Sequence, residues 1–599
     1  MAEAGRSWDV TTQVLSISVA FRVVNAVLVQ TWFVPDEYWQ SLEPAHVLVF
    51  NSGHLTWEWR HGLRSYLYPL YFAGVYKLLA VFRLDHHHWL FMLAPKLAQA
   101  LLFGVLCDVH LYKLARATCG PKVGALSVFA YWLSWFAFYT TPRTLTNSVE
   151  SALLMVALCH YRWPYAYICC DDRSEHGNTS DVSFSSTASE NSFAAPNRKR
   201  ATWHNVPFVF FAGLSTVLRP TGAIIFAPLV IWQLFRNSRW SSLLRDFSQS
   251  SMLPWHTRLR PLLGRMVEWR LAFDCALVGV PLLTACLIVD RLCYGRSLLT
   301  PWKFVEFNVL QGGSAHFGSH PLHWYLTCGL PLVAWSHSLV VLAVARSQRQ
   351  YSRGRPVLTF LAALIGWYVG VLSLQAHKEH RFLSPILPLL CIFVGVWLEP
   401  GVVMSTNGQL PWATTPKRRL ALIALLITNL PVALYCSLAH QRAPIAVASF
   451  VHGLQPFERT VVERVNNDTV TTTVAVRPSV WFLMPCHSTP FHSHIHNAQL
   501  QQLRFLHCEP NVDQRSDHTD EADAFYGDPV KFVKREFQDD KWRPTHVVLF
   551  DKLWTEQLER ELTKRQFEIC ASFFHVPVAA VDGQRQSRRI LVACRRTTE

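Results

Sequence analysis

Apolar runs, most of them near the length of a membrane span and some shorter, alternate with polar gaps along most of the chain. They lie near residues 11–30, 89–112, 123–140, 146–166, 205–218, 222–236, 271–290, 326–345, 356–375, 382–399 and 419–438. A straight span takes roughly 20 apolar residues, so the pattern predicts an α-helical polytopic membrane protein with about 11 transmembrane helices. Two of the shorter runs flank Leu218-Arg219-Pro220-Thr221-Gly222 and predict two short helices meeting at a break. Beyond residue 438 the pattern changes. Short strands such as Thr473–Val476, Val480–Leu483 and His546–Phe550, with a helical stretch over Trp554–Phe567, predict a small α/β domain. The expected organisation is a membrane module over 1–438 and a C-terminal domain over 439–599.

Composition agrees with the spans. Half of the 599 residues are hydrophobic and 16% are charged, which excludes an ordinary soluble domain. The net charge of +15 raises the question of nucleic acid, but no nucleic-acid-binding module is present. The basic residues sit instead in gaps between apolar runs: Lys113, Arg116 and Lys122; Arg198-Lys199-Arg200 at the end of the insert 167–204; seven arginines in the loop 236–270; Arg346 to Arg355; and Lys417-Arg418-Arg419. All fall on one side of the membrane if the N-terminus is cytosolic. The gaps 31–88, 141–145, 219–222, 291–325 and 376–381, and everything after about 439, then face the other compartment. Residues 11–30 are expected to be an uncleaved first span, since no cleavage signature precedes Pro35.

The polar insert 167–204 is expected to be disordered. Its sequon at Asn178 falls on the cytosolic side, whereas Asn467-Asp468-Thr469 falls on the opposite side and is a candidate glycan site. Cys486, Cys508, Cys570 and Cys594 occupy the polar C-terminal part, where disulfides form if the compartment is oxidising.

Candidate chemistry concentrates in residues 31–69, where Asp36, Glu37, Glu43, His46, Glu58, Arg60, His61 and Arg64 alternate with Trp32, Tyr38, Trp39, Trp57, Trp59, Tyr66 and Tyr68. Aromatic rings stack on sugars and a carboxylate accepts a hydroxyl proton; an interfacial aromatic belt explains the same rings without sugar. Asp36 and Glu37 read either as a catalytic pair or as helix N-terminal acids after Pro35. Arg22, a charge within the first span, needs a partner such as a carboxylate or a lipid phosphate. In Gln375 to Arg381 the cations His377, Lys378 and Arg381 stand where the positive-inside bias disfavours them, which calls for a phosphate or for internal pairing with Glu379. His316, His320 and His323 lack a carboxylate at ligand spacing, so substrate or structural contacts are preferred to a metal. Met484 to His496, with Cys486 and His487, reads as a packed turn before it reads as a Cys-His site. No phosphate-cradling glycine loop for a nucleotide donor is present.

These residues carry a resemblance. Pro35-Asp36-Glu37-Tyr38-Trp39-Gln40-Ser41-Leu42-Glu43, Leu55-Thr56-Trp57-Glu58-Trp59, Arg219-Pro220-Thr221 and His377-Lys378-Glu379-His380-Arg381-Phe382 resemble the dolichyl-phosphate-mannose-dependent α-mannosyltransferases of the endoplasmic reticulum, glycosyltransferase family 22 with the GT-C fold. Gly318 to Tyr325, Pro485 to Pro490 and Asp520 to Tyr526 are most similar to members that build the glycosylphosphatidylinositol (GPI) anchor. His380 departs from the acid or aromatic residue that relatives often carry. The resemblance implies an enzyme on the lumenal side that uses dolichyl-phosphate mannose to add an α1,2-linked third mannose to a GPI precursor glycolipid. It implies Asp36 as general base with Glu37 in support. His377, Lys378, Arg381, Arg22 and Arg219 are the candidates for the donor phosphate, and Trp39, Trp57 and Trp59 for the acceptor path. The scheme calls for no metal and no cofactor. A sister enzyme adding a fourth GPI mannose or elongating the N-glycan precursor is the nearest alternative. A lipid transporter or scramblase predicts internal repeats, and none is visible.

Overall fold

The computed structural model describes residues 10–163, 205–235, 268–346, 356–399, 415–465, 468–510, 520–537, 544–577 and 585–596. The insert 167–204, its sequon at Asn178, nearly all of the loop 236–270 and Asn467 lie outside the described residues. Two compact units are present: Met1–Ala20, Leu102–Ala137 and Thr146–Asn429 form the first, and Phe21–Leu101, Phe138–Leu145 and Leu430–Glu599 the second. Among the described residues, Val10–Leu28, His88–Cys119, Trp269–Tyr294, His380–Leu398 and Arg419–His452 are long and apolar enough to cross a membrane, and six apolar helices are shorter.

The first unit is helical. The helix Thr146–Cys159 is buried along nearly its whole length, and close packing elsewhere depends on glycine. A Cβ on Gly395 would lie 2.9 Å from the Val123 carbonyl oxygen and also meet Ser127, and one on Gly124 would lie 2.9 Å from the Tyr112 ring. Trp269–Tyr294 instead exposes Phe273, Val280 and Leu292, as a lipid-facing helix must. The expected break occurs where Val206–Leu218 ends at extended Arg219 and Gly222–Phe235 begins. Gly222 permits it, because a Cβ there would press on Ser215.

In the second unit a helix begins directly after Pro35, whose carbonyl accepts from the Tyr38 and Trp39 amides. It passes through a π turn, Tyr38–Leu42, into Glu43–Phe50. The stretch 31–88 also contains an apolar helix, Leu67–Val81; its many tyrosines and phenylalanines resemble an interfacial belt in the sequence. The C-terminal part carries a hairpin, β1 (Phe457–Val465) with β2 (Asp468–Val476). It also carries a five-stranded mixed sheet of β3 (Ser479–Leu483), β4 (Gln502–Phe505), β5 (His546–Phe550), β6 (Phe567–Phe574) and β7 (Arg589–Arg595). The sheet order is β4-β3-β5-β7-β6, parallel from β4 to β5 and antiparallel thereafter. Strands β3 and β5 are buried throughout, which is why they read as continuous apolar runs. The helix expected over Trp554–Phe567 is Glu556–Lys564, capped by Thr555, and Phe567 already starts β6. Disulfides join Cys486 to Cys508 and Cys570 to Cys594.

Candidate active site

Asp36 and Glu37 open the helix after Pro35, so the reading of helix N-terminal acids describes their backbone. It does not describe their side chains, which differ. Asp36 is partly exposed, whereas Glu37 is buried and its Oε2 accepts from Arg143 Nη1 at 2.7 Å. Arg143 is itself fully buried. It also donates from Nε to the Tyr139 carbonyl, from Nη1 to the Thr31 carbonyl and from Nη2 to Thr31 Oγ1, while its guanidinium lies 4.1 Å from the Tyr139 ring centre. The Glu37 carbonyl accepts from Ser41 Oγ and Thr144 Oγ1. Side chain and backbone of Glu37 are thus fixed by the segment Phe138–Leu145. Its other oxygen, Oε1, and the hydroxyl of Tyr38 are buried without a hydrogen-bond partner among the described residues. Arg22 is also buried in this unit, 3.3 Å from Asn25 Oδ1.

The turn after β3 packs on this helix. Trp39 donates from Nε1 to the Thr489 carbonyl and is surrounded by His487, Phe491 and Phe505 at 4.6 to 5.5 Å between ring centres. Trp59 donates to the Trp39 carbonyl. Trp39, Trp57 and Trp59 are all buried. The rings expected along the acceptor path pack in the interior. Glu43, fully buried, accepts from three backbone amides: His54 and His492 on Oε1 and Ser493 on Oε2. Burial pushes Glu43 up to about 7 against the pull of those amides. Cys486, His487 and Cys508 form a group compact enough for a metal, but the two thiols are joined in a disulfide, in keeping with a packed turn.

In the first unit the structure brings Arg219 to Arg381, although 161 residues separate them. Their guanidinium carbons lie 5.2 and 5.5 Å from the Phe382 ring centre. Arg219 pairs with buried Glu150 at 3.2 Å and donates to Thr221 Oγ1 and Thr146 Oγ1. Glu379 grips Arg381 with both oxygens, at 2.6 and 2.7 Å, and bonds His377 Nε2 at 2.9 Å. Burial opposes its charge, but Arg381 and His377 hold the Glu379 carboxyl well below the usual range. Lys378, also buried, donates to the His320 and Gln375 carbonyls, which spends two of an ammonium's three donors. The loop carrying His320 therefore supports this element, through backbone and by stacking of His320 on Trp324, and its imidazoles form no metal group among the described residues.

Arg143 and Glu150 were not singled out in the sequence, and Glu43 was named among the acids of residues 31–69 without a role of its own. Arg143 carries the signal that marked residues 377–381, an arginine in a gap on the side where the positive-inside bias disfavours it. Glu150 is a carboxylate inside an apolar run and so demands a cation.

A profile of the Alg9-like mannosyltransferase family matches residues 13–496. Among curated proteins, the GPI alpha-1,2-mannosyltransferase 3 of Danio rerio is 35% identical over 97% of this chain and 89% of its own length. The human protein of that name is 33% identical over 94% and 83%, and the GPI mannosyltransferase 3 of Drosophila melanogaster is 33% identical over 96% and 85%. Among solved structures, ArnT from Cupriavidus metallidurans bound to undecaprenyl phosphate matches 97% of both chains with a TM-score of 0.50 at 12% identity. At that identity the likeness is one of fold.

Proposed function

This chain belongs to the Alg9-like mannosyltransferase family, and we propose that it adds the third mannose of the GPI precursor from dolichyl-phosphate mannose, by one inverting displacement on the lumenal face of the endoplasmic reticulum. Mannosyl transfer in GPI synthesis follows from its relatives, as does a multi-pass helical membrane enzyme from the GT-C likeness. The donor, the step and the side of the membrane are our reading. Two disulfides in the C-terminal part favour the lumenal side, since such bonds persist in oxidising compartments.

The observation that carries the mechanism is the division of labour between the adjacent acids. Asp36 is partly exposed and stands at the start of a helix, where it can take a proton from an acceptor hydroxyl. Glu37 is buried and ion-paired, so it orients rather than exchanges protons. In the displacement, the acceptor 2-hydroxyl oxygen forms a bond to the anomeric carbon as the bond to the phosphate oxygen breaks. The proton passes to Asp36 and the electron pair to the departing dolichyl phosphate. A phosphate is a weak base, so cations suffice to hold its charge and no general acid is required. His377, Lys378, Arg381, Arg22 and Arg219 remain the candidates for that role, and within the first unit Glu150 and Glu379 fix the guanidiniums of Arg219 and Arg381. The scheme uses no metal ion and no cofactor.

The test is the rate of mannose transfer by purified D36N with dolichyl-phosphate mannose and a two-mannose GPI glycolipid. A fall of about 10³-fold per molecule is expected for loss of a general base. Transfer at the wild-type rate would place the base elsewhere.

A further inference from the structure

We infer that Arg143 is a positioning residue for the transfer: it locks the Glu37 side chain in one orientation, so that Glu37 Oε1 is left to accept a hydrogen bond from the acceptor sugar. This rests on the reading of Asp36 and Glu37 given above and assigns a role to a residue outside that pair.

Four hydrogen bonds and two ring contacts fix the guanidinium (Nε to Tyr139, Nη1 to Thr31 and Glu37, Nη2 to Thr31; Tyr139 at 4.1 Å and Phe33 at 5.7 Å). The planar guanidinium fork spreads its donors over Tyr139, Thr31 and Glu37 at once, a fixed geometry that a lysine ammonium cannot reproduce. Thr144, the next residue, secures the Glu37 carbonyl at 2.5 Å. The outcome is an asymmetric carboxylate. Oε2 is consumed by Arg143, while Oε1 is buried with no hydrogen-bond partner among the described residues. A buried acceptor of this kind is costly to leave unpaired. Glu37 directly follows the partly exposed Asp36 in the chain, the residue proposed to take the acceptor proton. A sugar offers vicinal hydroxyls, so one can give its proton to Asp36 while its neighbour donates a hydrogen bond to Glu37 Oε1. Lys96 lies buried in the same unit, with Nζ donating to the Val29 carbonyl at 2.9 Å.

The experiment compares purified R143K, R143Q, E37Q and R143Q/E37Q, with donor and acceptor each varied and thermal midpoints measured alongside. R143K keeps the charge and loses the fork. It should fold with a midpoint within a few degrees of wild type, lose about 10²-fold in kcat through misplacement of Glu37, and change donor KM little. The double variant, which removes both buried charges, should be no slower than E37Q alone, because the two residues act as one unit. Should R143Q alone fail to fold, R143K and the double variant still carry the test. R143K with kcat near wild type, alongside a slow E37Q, overturns the role of Arg143 and leaves the reading of the acids standing. E37Q with wild-type kcat sinks the reading of Glu37 and this inference with it. Additive losses in the double variant, or rates that track the amount of folded protein, make Arg143 a fold residue only.

Discussion

Replacing Glu43 by alanine should release the turn after β3 from the helix that carries the acid pair. The Glu43 carboxylate is fully buried and accepts from the amides of His54, His492 and Ser493 at 2.8 to 3.2 Å. E43A leaves all three donors without an acceptor. At about 1 to 2 kcal/mol for each orphaned amide, and allowing for water entering the space, the loss is about 3 to 5 kcal/mol. Since about 1.4 kcal/mol corresponds to tenfold, local opening should become about 100- to 4000-fold more frequent. Hydrogen exchange of the detergent-solubilised protein, followed by mass spectrometry, reads this directly in peptides covering 485–500. Protection there should collapse, while helices of the first unit such as Thr146–Cys159 keep theirs. The same side chain gives a pH signature. A carboxyl raised by burial to about 7 contributes stability that is present below its ordinary value of 4.5 and lost as pH rises through 7. The wild type should thus lose ground against E43Q between pH 5 and pH 8. Unchanged exchange over 485–500 in E43A would refute the clamp, even if the overall thermal midpoint fell.

Other consequences are read with simpler assays. Burial pushes His46 and His487 down to about 3 and His492 to about 4. All are neutral at pH 7, and the stability they represent is lost as pH falls from about 6.5 toward 4. Thermal midpoints should drop over that window, and an H46N/H492N variant should show a shallower slope. R381K preserves charge but not the two-pronged pairing with Glu379; donor KM should rise about tenfold with acceptor KM unchanged, whereas equal changes in both would detach Arg381 from the donor. G395A forces a methyl group against Ser127 and Val123 and should cost about 1 to 3 kcal/mol; a thermal midpoint equal to wild type would show that this helix contact yields without strain.

The helices were legible because their signal is local. Each apolar run expected in the sequence is mainly helical in the structure where it is described, and the break at Arg219 was marked by Pro220 and Gly222. Strands β3 and β5 were legible for the same reason, each being a short buried run of apolar residues. Pairings across sequence distance were not. Glu37 meets Arg143 across 106 positions of sequence, and Arg219 and Arg381 gather on Phe382 across 162, and nothing in local periodicity encodes either. Trp39, Trp57 and Trp59 show the opposite failure. Aromatic composition marks them equally for a belt, a sugar platform or a core, and only their contacts with Phe491, His487 and one another select the core.

The most direct measurement is the mannose count of radiolabelled GPI precursors in cells lacking this enzyme, before and after restoring wild-type or D36N protein at matched abundance. Precursors should stop at two mannoses in the null cells, gain the third with wild type, and remain at two with D36N. Null cells whose precursors already carry three mannoses would contradict the assigned step, and a third mannose added by D36N at the normal rate would contradict the assigned base.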